Sequence, residues 1–180
     1  VFASDSHALL GVLSSSIHQV WVITYASTLE TRVRYTPSDV FETFPLPPTK
    51  PDHDALGAEL SAVRQATMMN REMGLTSLYN MVNSPSVIDD PDVDQLRAIH
   101  TNLDIAVAEA YGWSDLFLDH GFHTYRGMTR WTISPVARVE VLARLLEENQ
   151  RRAAKSSSNG SKRAVHRTFE ESPMPKNALI

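Results

Sequence analysis

The sequence contains no cysteine and no long apolar segment. Without cysteine there is no disulfide framework, no thiolate zinc site, no iron–sulfur cluster and no cysteine nucleophile. The longest apolar run near the N-terminus is Val20–Ile23, far short of the ~20 apolar residues that a membrane span needs. No basic segment precedes an apolar stretch as it does in a signal peptide. We therefore expect a protein of the reducing cytoplasm that has no membrane partner.

Glycine is scarce as well, with 7 residues among 180 and no Gly-x-Gly. The sequence therefore lacks a glycine-rich turn of the kind that cradles phosphates. The Gly-x-Ser-x-Gly and Ser-x-x-Lys motifs of hydrolases are also missing. These absences make a stand-alone hydrolase or nuclease the least favoured function.

An acidic cluster has the spacing of a metal site. Asp90, Asp92 and Asp94 match the first three ligands of a calcium-binding loop. That loop also requires glycine at its sixth position and glutamate at its twelfth, where this chain has Gln95 and Thr101. Because an aspartate directly before a proline is a strong helix-start signal, we predict that this cluster caps a helix instead.

Two further motifs have simple structural explanations. His120 and His123 could chelate a metal on a helix, but Gly121 indicates a loop and no third ligand follows. The segment Pro45–Lys50 fits a Pro-x-x-Pro-x-basic ligand of polyproline-reading domains, although such short matches are frequent by chance. We predict polar contacts in a loop for the histidines and a rigid connector for the prolines.

Charge is distributed unevenly along the chain, whose formal net charge is −4. Residues 1–149 contain 10 Lys+Arg and 19 Asp+Glu, which gives −9, and residues 150–180 contain 7 and 2, which gives +5. A basic segment attracts nucleic acid or acidic surfaces. Because residues 156–161 are rich in Ser, Asn and Gly, we expect residues 155–180 to form a basic, disordered tail.

Hydrophobic periodicity predicts a mainly α-helical protein with a small β element. A first helix is expected from caps at Ser4–Ser6 to about Ala26. Residues 28–35 alternate in polarity, which predicts one half-exposed strand. The segment Pro45–Pro51 then marks a subdomain boundary, because each proline fixes φ and removes a hydrogen-bond donor.

The part of the chain after the boundary is predicted to be a helical bundle. Its first predicted helix starts at Asp52 or Asp54 and stops near Gly74, and a further helical turn or two covers residues 75–80. A third helix spans residues 91–111, and a fourth starts at Ser134–Pro135. Residues 113–131 are expected to form an irregular loop with aromatic anchors. The resulting division is a recognition end at 1–50, a helical domain at 51–154 and a tail at 155–180.

The charged side of the predicted strand contains the candidate DNA contacts. Glu30 and Arg32 are two residues apart, so on one strand both would point the same way. An arginine can donate two hydrogen bonds to a guanine edge, and a glutamate can accept one from cytosine. Arg34 and the hydroxyls of Thr36 and Ser38 could hold phosphates. A solvated strand, or a Glu–Arg pair within the protein, explains the same residues without DNA.

Six segments of the chain resemble the end of the target-recognition region, and the part that follows it, in large adenine-specific DNA methyltransferases. These enzymes are the fused restriction–modification proteins of types IIG and IIL and the related BREX phage-defence methylases. The segments are Leu13–Val22, Arg34–Pro45, Gly74–Asn80, Leu103–Trp113, Arg130–Ser134 and Leu145–Asn149. The resemblance covers about residues 5–153 and is specific as a set.

The resemblance implies a role in DNA recognition within a longer enzyme. The family transfers a methyl group from S-adenosylmethionine to the N6 amino group of adenine after flipping the base out of the duplex. Its Asn/Asp-Pro-Pro-Tyr/Phe catalytic loop and glycine-rich cofactor motif lie upstream and are missing from this sequence. The chain, which begins with Val1, is therefore expected to be a C-terminal fragment that binds no cofactor itself.

The resemblance also suggests partners and contacts. Double-stranded DNA is the expected ligand, and an upstream methyltransferase domain, in the same polypeptide or a separate subunit, is the expected protein partner. Glu30 and Arg32 match positions at which the family tends to place base-contacting side chains. The helical part would support the recognition region from behind.

The acidic charge of residues 1–149 keeps a second hypothesis open. A strong DNA binder usually presents a basic surface, whereas this part of the chain has a charge of −9 from 10 Lys+Arg and 19 Asp+Glu. A helical protein-interaction module without enzymatic activity would account for the acidic body, the proline-rich segment and the basic tail.

Overall fold

The computed structural model describes residues 4–29, 32–125 and 127–170, and the side chains of residues 4–26, 34–125 and 127–155. Its helices are α1 (His7–Ser14), α2 (Ser16–Tyr25), α3 (Pro51–Asn70), α4 (Leu75–Val82), α5 (Pro91–Ala110) and α6 (Pro135–Glu170), with a π-helical turn at Pro37–Phe41. Its strands form two antiparallel hairpins, β1 (Ser27–Leu29) with β2 (Arg32–Arg34) and β3 (Gly121–Tyr125) with β4 (Met128–Thr132). The predicted fold class, mainly helical with a small β element, is confirmed.

The first predicted helix is in fact two helices that meet at Ser15. The hydroxyl oxygen of Ser15 accepts a hydrogen bond from the N–H of His18 and donates one to the carbonyl of Val12. Ser15 therefore caps α2 while it closes α1. The prediction of one helix to Ala26 is wrong, because the apolar spacing continues across a 63° bend. Of the described helices, none is long and apolar enough to cross a bilayer by itself; α1 and α2 meet that test only together.

The stretch predicted as one strand over residues 28–35 is a hairpin. β1 and β2 run antiparallel, with Ser27 opposite Arg34 and Leu29 opposite Arg32. The single strand is therefore wrong, because Ser27–Leu29 and Arg32–Arg34 run in opposite directions. Polarity alternates along each arm of a hairpin just as it does along one strand, so the pattern does not reveal the reversal.

The second hairpin lies where an irregular aromatic loop was predicted. β3 and β4 pair from Gly121 opposite Thr132 to Tyr125 opposite Met128. The loop prediction is wrong in this region. Neither strand alternates between buried and exposed side chains, so the period of two on which a strand prediction depends is missing.

Two of the helix starts follow the sequence signals. Asp90 accepts a hydrogen bond from the N–H of Val93 and caps α5, as predicted. Ser134 accepts one from the N–H of Ala137 at the start of α6. Gly74 has a different role from the predicted one, because α3 ends at Asn70 and Gly74 stands directly before α4.

The last helix is longer than the sequence suggests. Its backbone is helical through Glu170, which differs from the linker predicted to begin at Lys155. A single glycine in a helix costs only about 1 kcal/mol, and the lysines, arginines and alanines around Gly160 are good helix formers. Residues 171–180 of the predicted tail lie outside the described residues.

Two hydrophobic clusters stabilise the fold, and α5 contributes to both. The first joins α2 and the π-helical turn to α5 and α6; its members include Ile17, Trp21, Val40, Phe44, Val107, Ile133, Val141 and Leu145. The second lies between α3, α4 and α5; its members are Leu60, Leu78, Val82, Val93, Leu96, Ile99 and Leu103. The recognition end and the helical part are therefore packed against a common central helix.

The proline-rich connector is packed against that helical part. The hydroxyl of Tyr111 donates to the carbonyl of Pro45 at 2.8 Å, and Nη1 of Arg152 donates to the carbonyl of Leu46 at 2.8 Å. Pro45 and Pro47 are buried. These contacts agree with a rigid connector, whereas the division at residues 50 and 154 stays a prediction.

Candidate nucleic-acid interface

Helix α2 leads into the first hairpin and holds both of its strands. A single residue, Ala26, separates α2 from β1. Tyr35 directly follows β2, and its hydroxyl lies 3.3 Å from Nε2 of His18 on α2. His18 is 3% exposed, and its ring contacts Phe44 edge to face at 4.6 Å. The position of α2 therefore determines the position of the hairpin.

The contact between the hairpin and α2 joins two uncharged groups. Desolvation by burial lowers the pKa of His18 to about 4, because the imidazolium ion loses its hydration inside the protein. Burial also raises the pKa of Tyr35. At neutral pH the pair is a neutral hydrogen bond, so it orients the hairpin without adding charge near a DNA phosphate.

Three of the predicted DNA contacts have described side chains. Arg34 is exposed at the end of β2, Thr36 is half-buried, and Ser38 is exposed in the π-helical turn. The hydroxyl of Ser38 donates to the carboxylate of Asp39 at 3.0 Å. A phosphate beside Ser38 would meet that negative charge, so Arg34 and Thr36 are the better phosphate candidates.

The predicted base-contacting pair is only partly described. Glu30 lies outside the described residues, and for Arg32 the backbone alone is described. The argument that aligned the two on one strand no longer applies, because Leu29 and Arg32 lie on opposite strands. A base-contacting role for Glu30 and Arg32 stays a prediction.

A cavity lies beside the hairpin, between the recognition end and the helical part. Its volume is about 770 Å³, and side chains of α1, α2, α4, α5 and β4 line it. Tyr35 forms part of its wall next to the hairpin, and Asp104, His120 and Arg130 form another part. Sequence reasoning missed Asp104 and Arg130. The available signal was a carboxylate among the apolar residues of α5.

Asp104 is a buried carboxylate, 1% exposed, that connects three parts of the structure. One of its oxygens accepts a hydrogen bond from the N–H of Ser16 at 2.6 Å, and the other lies 2.9 Å from Nε2 of His120. Because Ser16 is the first residue of α2, the carboxylate sits at the helix end that favours negative charge. The remaining histidine of the predicted pair, His123, contacts the carbonyl of Asp119 at 3.0 Å.

A half-buried histidine, His100, also borders the cavity. Nε2 of His100 lies 2.6 Å from the hydroxyl of Tyr79, which also accepts a hydrogen bond from Nε of Arg64 at 2.6 Å. Burial lowers the pKa of His100 to about 4, and the nearby charge of Arg64 acts in the same direction. Over the part of the chain that the structure describes, no group of three or more His, Asp or Glu side chains could hold a metal ion.

The arrangement is that of a small hairpin with an exposed arginine, presented by a short helix on a helical support. Residues 1–48 match the family described as "MmeI, target recognition domain". The resemblance to the recognition region of a type IIL restriction–modification enzyme is thereby confirmed.

A solved structure extends the likeness over most of the chain. It is that of the type IIL restriction–modification enzyme MmeI in complex with DNA, with a TM-score of 0.56 and 25% sequence identity. The match covers 84% of this chain but 17% of the MmeI chain. No curated protein matches. The helical part after the connector therefore belongs to the same likeness as the recognition end.

Proposed function

We propose that this chain is the DNA-recognition and supporting C-terminal part of a site-specific, S-adenosylmethionine-dependent adenine-N6 methyltransferase that acts in a restriction–modification or phage-defence system of the cytoplasm. The observation that supports the proposal is the match of residues 1–48 to a target recognition domain. The catalytic and cofactor motifs are missing from this sequence. Methyl transfer and cofactor binding are therefore assigned to a methyltransferase domain, on the same polypeptide or a separate subunit, that partners this chain.

DNA would contact this protein along the first hairpin and the segment that follows it. Arg34 is exposed and is the last residue of β2, so its guanidinium can reach a phosphate without rearrangement of the fold. The Thr36 hydroxyl lies two residues further along the same segment. Glu30 and Arg32 are assigned to base edges, where each good contact discriminates by about 1–3 kcal/mol.

The proposal is tested first by DNA binding at several salt concentrations. Joined to the methyltransferase part of its parent enzyme, the chain should bind duplex DNA with an affinity that falls linearly on a log–log plot as salt rises. Arg34→Ala should reduce the slope by roughly one phosphate contact. Arg144→Ala is the matched control and should leave the slope unchanged, because Arg144 on α6 already pairs with Glu140 on the same helix and with Asp115 in the loop after α5.

Sequence preference is tested by methylation read site by site. Exchanging the side chains of Glu30 and Arg32 should change the preferred base at one position of the recognised site, because an acid and a guanidinium read different edges. Unchanged preference would remove the base-reading role from these two residues and leave the assignment to a recognition domain intact.

The alternative function is a helical protein-interaction module without enzymatic activity. The acidic excess of residues 1–149, with 19 Asp+Glu against 10 Lys+Arg, favours it. Absence of DNA binding in the joined protein, or binding without salt dependence, would support this alternative over the methyltransferase assignment.

A further inference from the structure

The buried carboxylate of Asp104 occupies an unusual place for a charged group. It is 1% exposed, and burying a carboxylate without partners is strongly unfavourable. Its two partners are the N–H of Ser16 and the ring of His120, whose side chain is 10% exposed. All of the hydrogen bonds that Asp104 makes to these groups are long-range in sequence, so they tie α5 to α2 and to the segment before β3.

The bond to Ser16 acts at the pivot of α2. Ser15 interrupts the series of backbone hydrogen bonds between α1 and α2, so the orientation of α1 does not fix that of α2. The Ser16 N–H is one of the first-turn donors that a helix cannot satisfy itself. Asp104 supplies the acceptor, and Thr132 at the end of β4 adds a hydrogen bond to the Ser16 hydroxyl at 3.2 Å.

Both ends of α2 contact the hairpin. Ala26 connects the far end of α2 to β1, and His18, near the first residue of α2, contacts Tyr35 after β2. A helix of 10 residues is about 15 Å long. A tilt of about 5° at its first residue therefore moves its last residue by roughly 1.3 Å, which exceeds the ~0.5 Å tolerance of a functional side-chain constellation.

We propose that Asp104 is a positioning residue for DNA recognition: its hydrogen bond to the N–H of Ser16 sets the tilt of α2 and thereby the position of the β1–β2 hairpin. The part of this inference that concerns DNA rests on the proposed function, and the part that concerns the hairpin does not. His120 holds the second oxygen of the carboxylate and fixes its rotation. Asp104 itself is buried and would act through α2 rather than by contacting DNA.

Proline at position 16 removes the hydrogen bond from the Ser16 N–H to Asp104, and Ser16→Ala, which loses only the hydroxyl that accepts from Thr132, separates the two contacts. Ser16→Pro removes the N–H donor, and proline is favoured at the first position of a helix. The preceding residue, Ser15, has φ −73° and ψ 153°, the extended conformation that a residue before proline adopts. The matched control is Leu75→Pro, which places proline at the first position of α4, far from α2 in sequence and without a contact to Asp104.

The position of the hairpin can be measured directly because the chain has no cysteine. Spin labels on Thr28→Cys in β1 and Glu59→Cys in α3 give a distance that measures the position of the hairpin relative to α3. Ser16→Pro should shift this distance by about 1 Å or more or broaden its distribution, and Leu75→Pro should leave it unchanged. An unchanged distance in Ser16→Pro, with the helix content intact by circular dichroism, overturns the proposal.

DNA binding measured with and without Arg34 separates a displaced hairpin from a general loss of stability. With a mixed-sequence duplex, Ser16→Pro should weaken binding roughly tenfold when Arg34 is present and have little further effect in the Arg34→Ala background. Equal losses in both backgrounds contradict a positioning role. If the protein without Ser16→Pro or Arg34→Ala binds no duplex while the spin-label distance still shifts in Ser16→Pro, the proposed function fails and the positioning of the hairpin stands.

A second variant covers the case in which Ser16→Pro does not fold. Asp104→Leu has a similar shape but removes the acceptor of the Ser16 N–H. A shift of the spin-label distance in the same direction is expected. No shift in this variant, together with unchanged DNA binding, also counts against the proposal.

Discussion

At the scale of single residues, buried polar side chains define this structure as much as the apolar ones. Arg97 is 7% exposed and lies on α5, yet its guanidinium donates to the carbonyls of Val82, Val87 and Ser84 at 3.1 Å. These carbonyls belong to the end of α4 and the loop that follows it. A helix end leaves its last carbonyls unpaired, so one guanidinium organises the whole turn between α4 and α5.

Replacing Arg97 should therefore be strongly destabilising. Arg97→Met should lower the free energy of unfolding by about 3–5 kcal/mol, because it leaves several buried carbonyls without a donor. Arg97→Lys should restore only part of it, since an ammonium lacks the planar fork. Urea unfolding measures both. Arg144→Met, on the surface pair with Asp115, should cost less than about 1 kcal/mol; an equal cost would contradict the explanation.

Two histidines with lowered pKa values, His18 and His100, make stability depend on pH. The pKa values of His18 and His100 are both lowered to about 4, whereas an unfolded histidine titrates near 6.5. As the pH falls, the histidines of the unfolded state take up protons first. The stability gained by burying the uncharged imidazoles is therefore present in full above about pH 6.5 and is lost as the pH falls toward 4. Each group contributes up to about 3 kcal/mol to this loss.

Urea unfolding between pH 7 and pH 4.5 measures the effect. His18→Gln should flatten the fall in stability by removing one of the two imidazoles whose pKa is lowered, and His7→Gln, at an exposed position, should leave it unchanged. If His18→Gln and the parent protein lose stability in parallel, burial of this imidazole is not the cause.

At the scale of elements, α1 and α3 pack closely through two glycines. A Cβ on Gly57 would collide with the carbonyl group of His7, whose carbon lies 2.7 Å away, and a Cβ on Gly11 would lie 3.0 Å from the carbonyl oxygen of His53. Both obstacles are backbone atoms, which cannot rotate away as the end of a side chain can. The absence of side chains at these positions therefore sets the separation of the two helices.

Gly57→Ala tests this packing. In an isolated helix the substitution is favourable by about 1 kcal/mol, but here it should lower the free energy of unfolding by about 1–3 kcal/mol through overpacking. Gly74→Ala is the control, because a Cβ at that position meets nothing within 4 Å. A neutral or stabilising Gly57→Ala would show that α1 and α3 can separate at little cost.

At the scale of the whole molecule, the recognition end and the helical part share one hydrophobic cluster. Trp21 and Phe44 come from the first 50 residues, and Val107 and Leu145 come from the helical part. Neither group can be buried without the other. The connector between them is fixed by two hydrogen bonds. Tyr111, directly after α5, donates to the carbonyl of Pro45, and Arg152 on α6 donates to the carbonyl of Leu46.

The two parts should consequently unfold together. Thermal unfolding followed by tryptophan fluorescence and by far-ultraviolet circular dichroism should give coincident transitions. Trp21→Ala, in the shared cluster, should lower the midpoint of both signals equally. Two separate transitions, with only one moved by Trp21→Ala, would show independent domains.

How much could be predicted from the sequence differs from element to element. The start of α5 at Asp90–Pro91 and the start of α6 at Ser134–Pro135 were predictable, because caps and prolines act on the nearest few residues. The break at Ser15 was not, because serine caps and serines inside helices look alike in sequence. The hairpins were not predictable either, since pairing of strands depends on register between residues that local periodicity does not connect.

The candidate site divides in the same way. Arg34, Thr36 and Ser38 could be proposed from residue chemistry and from a resemblance, and the structure places Arg34 and Ser38 on the surface. Asp104 could not, because its function depends on Ser16 and His120, which lie 88 and 16 residues away along the chain. A carboxylate on an apolar helix indicates that a partner exists without naming it.

The sequence by itself determined that this chain is mainly helical, where most of its helices begin, and that its N-terminal end resembles a DNA-recognition region. These features depend on hydrophobic period, capping and motifs, all of which act over short stretches of chain. Only the tertiary structure decided that the recognition strand is a hairpin, that α2 turns away from α1, and that a buried carboxylate holds it there. Such features arise from contacts between distant residues, whose free energies exist only once the chain has folded.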